Sequence, residues 1–291
     1  MTTDHSGDPP PFSRREFTAL SIAAGVVAAT RAGAAEIPTE QAVEIRTPSG
    51  VCDAVVVHPE GKGPWPAAIL FTDAFGLRPA MRDMAKRLAA AGYAVLVPNP
   101  YYRSTKAPGI NAANFDFQNP ADRAKLQALR APLTTDAVAQ DAKAYLAYLD
   151  AQPFVNKKAT AGAFGYCMGG LMTLQAAAGV PNRIGAGASF HGGGLVTDKP
   201  DSPHLAVPKM KGEYLIAIAA NDDAAQPDAK TKLAEAFRAA KIPANVAVYE
   251  GTMHGWCVQD MPAREGKPIY NEAQAERAWS ELVALFKRRL V

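Results

Sequence analysis

Cysteine is scarce in this chain: three residues in 291, at positions 52, 167 and 257. An odd number cannot pair completely, and the spacing matches no metal-ligand pattern. No metal is therefore expected, and at most Cys52 and Cys257 are left to pair with each other. A dominant charge is also missing. Lys and Arg number 31 against 28 Asp and Glu, a net charge of +3, with the two signs interspersed. Without a basic block, nucleic acid is not an expected partner. There is no internal repeat, and no low-complexity tract beyond the first residues, which argues against solenoid and array architectures. What the chain has in quantity is apolar residues, 48% of the total. Over this length they suit one large α/β domain, residues 35–291, as a monomer or small homo-oligomer.

Residues 1–11 are polar and end in three prolines, a composition that reads as a disordered tail. Arg14-Arg15 then precedes an apolar run over residues 19–29, and Arg31-Ala32-Gly33-Ala34-Ala35 closes the segment. A positive start, a short apolar centre and small residues at the exit describe a secretory signal. The run is shorter than the roughly 20 residues a membrane span needs. Paired arginines mark the twin-arginine type, so the export machinery of that route is an expected partner. Cleavage is expected near Ala34, giving a periplasmic or secreted protein. The plainer alternative is an amphipathic helix with a chance Arg-Arg. An oxidising compartment preserves disulfides, which matters for any cysteine that must stay free.

The centre of the chain carries its most specific signal. Ala161-Gly162-Ala163-Phe164-Gly165-Tyr166 leads into Cys167-Met168-Gly169-Gly170 and then an apolar run over residues 171–178. This reads as strand, sharp turn and helix with a thiol at the apex, a nucleophile elbow with Cys in place of Ser. The elbow residue takes strained backbone angles, and strand and helix pass so close that only glycine fits at 165 and 169. The helix dipole at the thiol lowers its pKa. A buried, inert core cysteine is the bland reading of the same residue.

Other candidate groups follow strands in turn. Ala67-Ala68-Ile69-Leu70-Phe71 is a buried strand ending in Thr72-Asp73-Ala74, and Tyr93-Ala94-Val95-Leu96-Val97 is another, left through Pro98 to Arg103. Residues 103–132 form a lid-like insertion in which Asn119-Pro120 starts a short helix through Arg130. Thr135 is expected to cap the helix after it. Residues 214–219 form a strand running into Asn221-Asp222-Asp223, residues 227–241 a helix, and residues 246–249 a strand ending before His254-Gly255. Nucleophile, acid and histidine thus each leave a strand in the α/β-hydrolase chain order, with Asp222 and Asp223 both open as the acid. Phe190-His191-Gly192-Gly193-Gly194 lies after the nucleophile, so it reads as a glycine turn with His191 at most lining the site. His58, before Pro59, reads as a surface residue.

With these segments in place the chain resembles the dienelactone hydrolase family over nearly all of residues 35–291. Gly165-Tyr166-Cys167-Met168-Gly169-Gly170 is the closest stretch. Residues 81–85, Gly92-Tyr93, Pro98 to Arg103, Ala220-Asn221-Asp222 and His254-Gly255 also match. The resemblance implies the α/β-hydrolase fold, with a mostly parallel central sheet and helices on both faces. It implies a Cys167-His254-Asp222 triad, selecting Asp222 over Asp223, with no metal and no organic cofactor. It implies an acid touching the resting thiol, here Asp73, and an arginine pairing with a substrate carboxylate, here Arg103. The oxyanion would be held by the backbone N–H groups of Met168 and Ala74. The expected substrate is a small ester or lactone. Two departures stand out: Asp73 replaces a glutamate, and Val258 replaces a second anion-binding arginine. Both point to a substrate other than a dienelactone, with less negative charge. A carboxylesterase acting on neutral esters is one alternative, and a non-hydrolytic thiol redox or binding protein is another.

Overall fold

A computed structural model describes residues 38–264 and 266–290. The expected signal segment and its cleavage point lie outside the described residues. The chain enters through a hairpin, β1 (Thr39–Thr47) and β2 (Gly50–His58), closed where Thr47 faces Gly50. Short runs of small and apolar residues then give β3 (Ala67–Phe71), β4 (Ala94–Pro98), β5 (Ala161–Tyr166) and β6 (Ile184–Phe190), each buried along its whole length. Such runs suit strands covered on both faces. β7 (Glu213–Ala219) and β8 (Ala244–Tyr249) complete one eight-stranded sheet in the order β1-β2-β4-β3-β5-β6-β7-β8. The β1–β2 and β2–β4 pairings are antiparallel and the rest parallel.

Helices with one apolar stripe cover both faces. α1 (Pro79–Ala90) and α7 (Glu272–Arg289) bury Met81, Ala85, Leu88, Leu282 and Phe286 on one side. α3 (Thr135–Asp150), α4 (Met168–Gly179) and α6 (Ala229–Ala239) bury Val138, Leu146, Leu174 and Phe237 on the other. The fold is the α/β-hydrolase architecture expected from the sequence. α2 (Pro120–Arg130) begins where Asn119 accepts a hydrogen bond from Ala121 N. In the same insertion Phe115 and Phe117 set their rings on Phe75, 5.7 and 5.9 Å away.

Two sequence expectations need correction, the cap of α3 and the exposure of His58, and two further points are added to the reading. The cap of α3 is Thr134, whose hydroxyl accepts from Ala137 N; Thr135 is already helical. The helix expected over residues 227–241 is present as α6, and a separate short one, α5 (Ala220–Ala225), precedes it and carries Asp222. His58 is buried, not exposed, because Phe154 and Trp65 stack against its ring at 4.1 and 5.4 Å. Cys52 and Cys257 are both free thiols and belong to the core layers on opposite faces of the sheet. The sheet separates them, so the pairing that the cysteine count left open is not made.

Candidate active site

Parallel strands deliver their carboxyl ends to one edge, and loops leaving that edge are where α/β proteins build sites. At the end of β5 the chain turns through Cys167, with φ 53° and ψ −116°, directly into α4. A non-glycine residue at positive φ is strained and persists only where its surroundings hold it. The hold is visible here: Cys167 N donates to Phe190 O at 3.0 Å and to His191 Nδ1 at 3.1 Å. The flanking glycines are steric necessities. A Cβ on Gly165 would overlap the Gly169 carbonyl, and one on Gly169 would overlap the Phe71 carbonyl.

β8 leads to His254 and β7 to Asp222. His254 Nδ1 lies 2.7 Å from Asp222 Oδ2, and His254 N donates to Asn221 Oδ1 at 2.7 Å. Two bonds to consecutive residues of α5 fix both the ring and the backbone of the histidine. Burial works against a charge on this imidazole. The hydrogen bond that His254 donates to Asp222, with the negative charge of Asp222 and Cys167, outweighs it and pushes the group up to about 10. Since Nδ1 is occupied by Asp222, Nε2 is the ring nitrogen left for another partner. Asp223, the other candidate acid, points elsewhere and pairs with Lys230 at 2.6 Å.

The two expected oxyanion donors flank this arrangement. Met168 is the first residue of α4 and Ala74 follows β3 by three residues. Among the described residues neither backbone N–H donates a hydrogen bond. The Ala74 peptide is held from below, since Tyr101 donates its hydroxyl to Ala74 O at 2.7 Å and Phe75 N donates to Asp73 Oδ1 at 2.9 Å.

Two residues expected beside the thiol or substrate have other partners. Asp73 is buried and grips Arg78, with Nη1–Oδ1 2.7 Å and Nη2–Oδ2 2.9 Å. Burial pushes its carboxyl above the usual range while the Arg78 charge opposes that push. With Phe75 N and Arg78 on its oxygens, Asp73 has no hydrogen bond to Cys167 among the described residues. Arg103 is likewise committed. Its guanidinium takes Asp141 with both terminal nitrogens, at 2.8 and 2.9 Å, and stacks over Tyr102. Asp141 lies on α3, and nothing in a one-dimensional pattern links it to a loop 38 residues earlier.

Sequence reading also undervalued His191. Its side chain is completely buried, its φ is +41°, its Nδ1 supports the elbow amide, and its ring lies 4.8 Å from that of His254. Burial and the neighbouring His254 pull its imidazole well below the usual range, so it stays neutral. The His-Gly-Gly-Gly run was the available signal. Arg78, Asp260 and Tyr101 were missed altogether. A cavity of about 250 Å³ opens beside the elbow, lined by Met168, Leu171 and Met172 of α4 and by Gln127, Arg130 and Leu133 of the insertion. Among the described residues no group of three acids, histidines or cysteines is placed to hold a metal ion. None of their helices is long and apolar enough to cross a membrane.

Comparison with known proteins gives one consistent answer. Residues 52–290 match the dienelactone hydrolase family. The carboxymethylenebutenolidase of Pseudomonas putida is 29% identical over 177 residues, 60% of this chain and 71% of that protein. That of Rhodococcus opacus is 26% identical over 226 residues, 76% and 81% of the two chains. Among solved structures, a dienelactone hydrolase-like promiscuous phosphotriesterase from metagenomic libraries is 24% identical. It covers 88% of this chain and 100% of its own, with a TM-score of 0.71, and is similar in fold.

Proposed function

The chain belongs to the dienelactone hydrolase family, and from that membership we propose a Cys167-His254-Asp222 triad that cleaves an ester or lactone through a thioester. At the coarser level the protein is a hydrolase acting on ester bonds. The observation that supports the finer reading is the His254 imidazole, held by Asp222 through Nδ1 at 2.7 Å and close enough to Cys167 to feel its charge. Held by Asp222, the imidazole is oriented to take the thiol proton and so ready the sulfur for attack.

The steps balance as follows. The Cys167 thiolate attacks the carbonyl carbon and charge moves onto its oxygen, which the Met168 and Ala74 N–H groups receive. The carbon–oxygen bond breaks as His254 gives its Nε2 proton to the departing alcohol, leaving a thioester. Neutral His254 then takes a proton from water, whose oxygen attacks the thioester carbon. Collapse expels the thiolate beside a restored imidazolium, and Asp222 orients the ring throughout. Cys167→Ala is the test. A folded variant should lose at least about 10³ of the ester-cleavage rate, together with any acyl adduct on residue 167 seen by mass spectrometry. A variant that keeps its rate overturns the mechanism.

A neutral ester is the better-supported substrate class. Arg103 is paired with Asp141, Arg78 with Asp73 and Asp260, and position 258 is valine. The cations at these positions are thus neutralised or missing, which leaves Arg130 of the insertion, at the cavity, to receive a carboxylate; with that cation alone, an uncharged aryl ester should outpace an acidic lactone. Residues 1–34 are proposed as a twin-arginine signal that exports a single α/β-hydrolase domain, residues 35–291, to the periplasm or beyond. Arg14-Arg15, the apolar run and the small-residue exit support this. Arg14→Lys with Arg15→Lys should hold the protein inside the cell.

A further inference from the structure

Arg78 precedes α1 and is 5% exposed, yet it carries no part of the proposed chemistry. Its whole donor set is used. Nη1 donates to Asp73 Oδ1 at 2.7 Å and to Gly76 O at 3.4 Å. Nη2 donates to Asp73 Oδ2 at 2.9 Å and to Asp260 Oδ1 at 2.7 Å, and Nε donates to Asp260 Oδ2 at 2.8 Å. Two carboxylates 187 positions apart in the chain therefore share one planar fork. Bidentate guanidinium–carboxylate pairs fix orientation as well as distance.

The two carboxylates belong to different loops of the site. Asp73 immediately precedes Ala74, the proposed oxyanion donor. Asp260 ends a run of tight turns that begins at the histidine. Val258 N donates to Gly255 O at 2.9 Å and Met261 N to Val258 O at 3.2 Å. Gly255 has φ +103°, and the Met261 side chain packs against it closely enough to meet any added Cβ at 2.9 Å. A shift of Asp260 is thereby passed to the residue next to His254. The fork itself is rooted in a helix start, where the Arg78 carbonyl accepts from Met81 and Arg82 N, and its guanidinium lies 5.3 Å from the centre of the Phe75 ring.

We propose that Arg78 is a positioning residue. It ties the loop carrying the Ala74 N–H to the loop carrying His254, fixing the oxyanion site relative to the proton donor. The proposal rests on the triad reading above. Lysine keeps the charge but is a point donor and cannot hold both carboxylates in a plane. Misplacement near 1 Å is enough to slow a positioned reaction by about 100-fold.

The test uses the purified mature chain with a neutral aryl ester. Arg78→Lys should lower kcat by about 10–100-fold with KM within about threefold, and should speed amide hydrogen exchange in residues 72–78 and 252–261 together. Asp260→Asn leaves the buried Asp73 pair intact, so it covers the case in which Arg78→Lys does not fold. It should lower kcat less, with the same sparing of KM. Unchanged kcat in a folded Arg78→Lys protein overturns the proposal. So does full recovery in Arg78→Gln with Asp73→Asn, which would make Arg78 a counter-charge and nothing more. A wild-type protein with no Cys167-dependent hydrolysis sinks the triad reading instead. The exchange data then decide the tie between the loops by themselves: joint loosening sustains it, and loosening at one loop only overturns it.

Discussion

Arg103 shows how one partner changes what a side chain can do. Its position after β4 puts it at the carboxyl edge of the sheet, but Asp141 occupies its guanidinium. The arginine side chain is 11% exposed and that of Asp141 3%. Removing one member of such a pair strands the other, at a cost of about 3 kcal/mol. Arg103→Ala should therefore lower the unfolding free energy by roughly that amount in denaturant titration. It should slow neutral and carboxylate-bearing esters alike, and a loss confined to charged substrates would restore an anion-binding role. His254 gives a second prediction at this scale. Its folded-state pKa, about 10, lies above the ordinary value of 6.5. A raised pKa stabilises the fold fully below 6.5, and the contribution fades as pH rises through 10. The melting-temperature gap between wild type and His254→Gln should narrow from pH 6 to 10.5. A widening gap would mean that the folded state does not favour the imidazolium.

The elbow is the element in which sequence and structure coincide most closely, and the reason is local. Strand, apex and helix occupy consecutive residues, and the two glycines are required by contacts with the adjoining backbone. Gly169→Ala forces a methyl into the Phe71 carbonyl, where the overlapping atoms are main chain and cannot swing away. It should destabilise by about 3 kcal/mol and disturb Cys167, whereas Gly193→Ala, with nothing within 4 Å of the new methyl, should stay within about 0.5 kcal/mol. Chemical denaturation of the two variants checks the contrast, and equal effects would remove the steric account of the motif. Elements with weaker local signals were read less well. Two adjacent threonines compete to cap α3 and hydrogen bonding selects Thr134. α5 is a six-residue helix of Ala, Asn and Asp with no apolar period to reveal it. His58 is buried by aromatic residues 7 and 96 positions away, Trp65 and Phe154.

At the scale of the molecule, buried strands and their chain order made the sheet legible, and with it the convergence of Cys167, Asp222 and His254 on one edge. Contacts between distant segments were not legible. The Arg78 fork joins residues 182 positions apart and Arg103 meets Asp141 across 38. No periodicity encodes such pairings. The three thiols depend on the same global arrangement. Cys52 lies under one face, where burial pushes its thiol up to about 12 while Tyr145 donates a hydrogen bond to the sulfur. Cys257 lies under the other face, where burial drives its thiol well above the usual range. Thiolate is the reactive form, so both should ignore iodoacetamide until the whole domain opens, at a rate equal to global unfolding. Cys167, at a helix start beside His254, should react in the native state. Peptide mass spectrometry of a timed labelling reaction reads all three positions at once. Native-state labelling at 52 or 257, or a mass 2 Da low from a bond between them, would contradict a sheet that holds the two on opposite faces. Labelling confined to 167 would also show how the proposed nucleophile can stay reduced under the proposed export: the other two thiols lie across the sheet from each other and are buried, leaving Cys167 no accessible partner within its own chain.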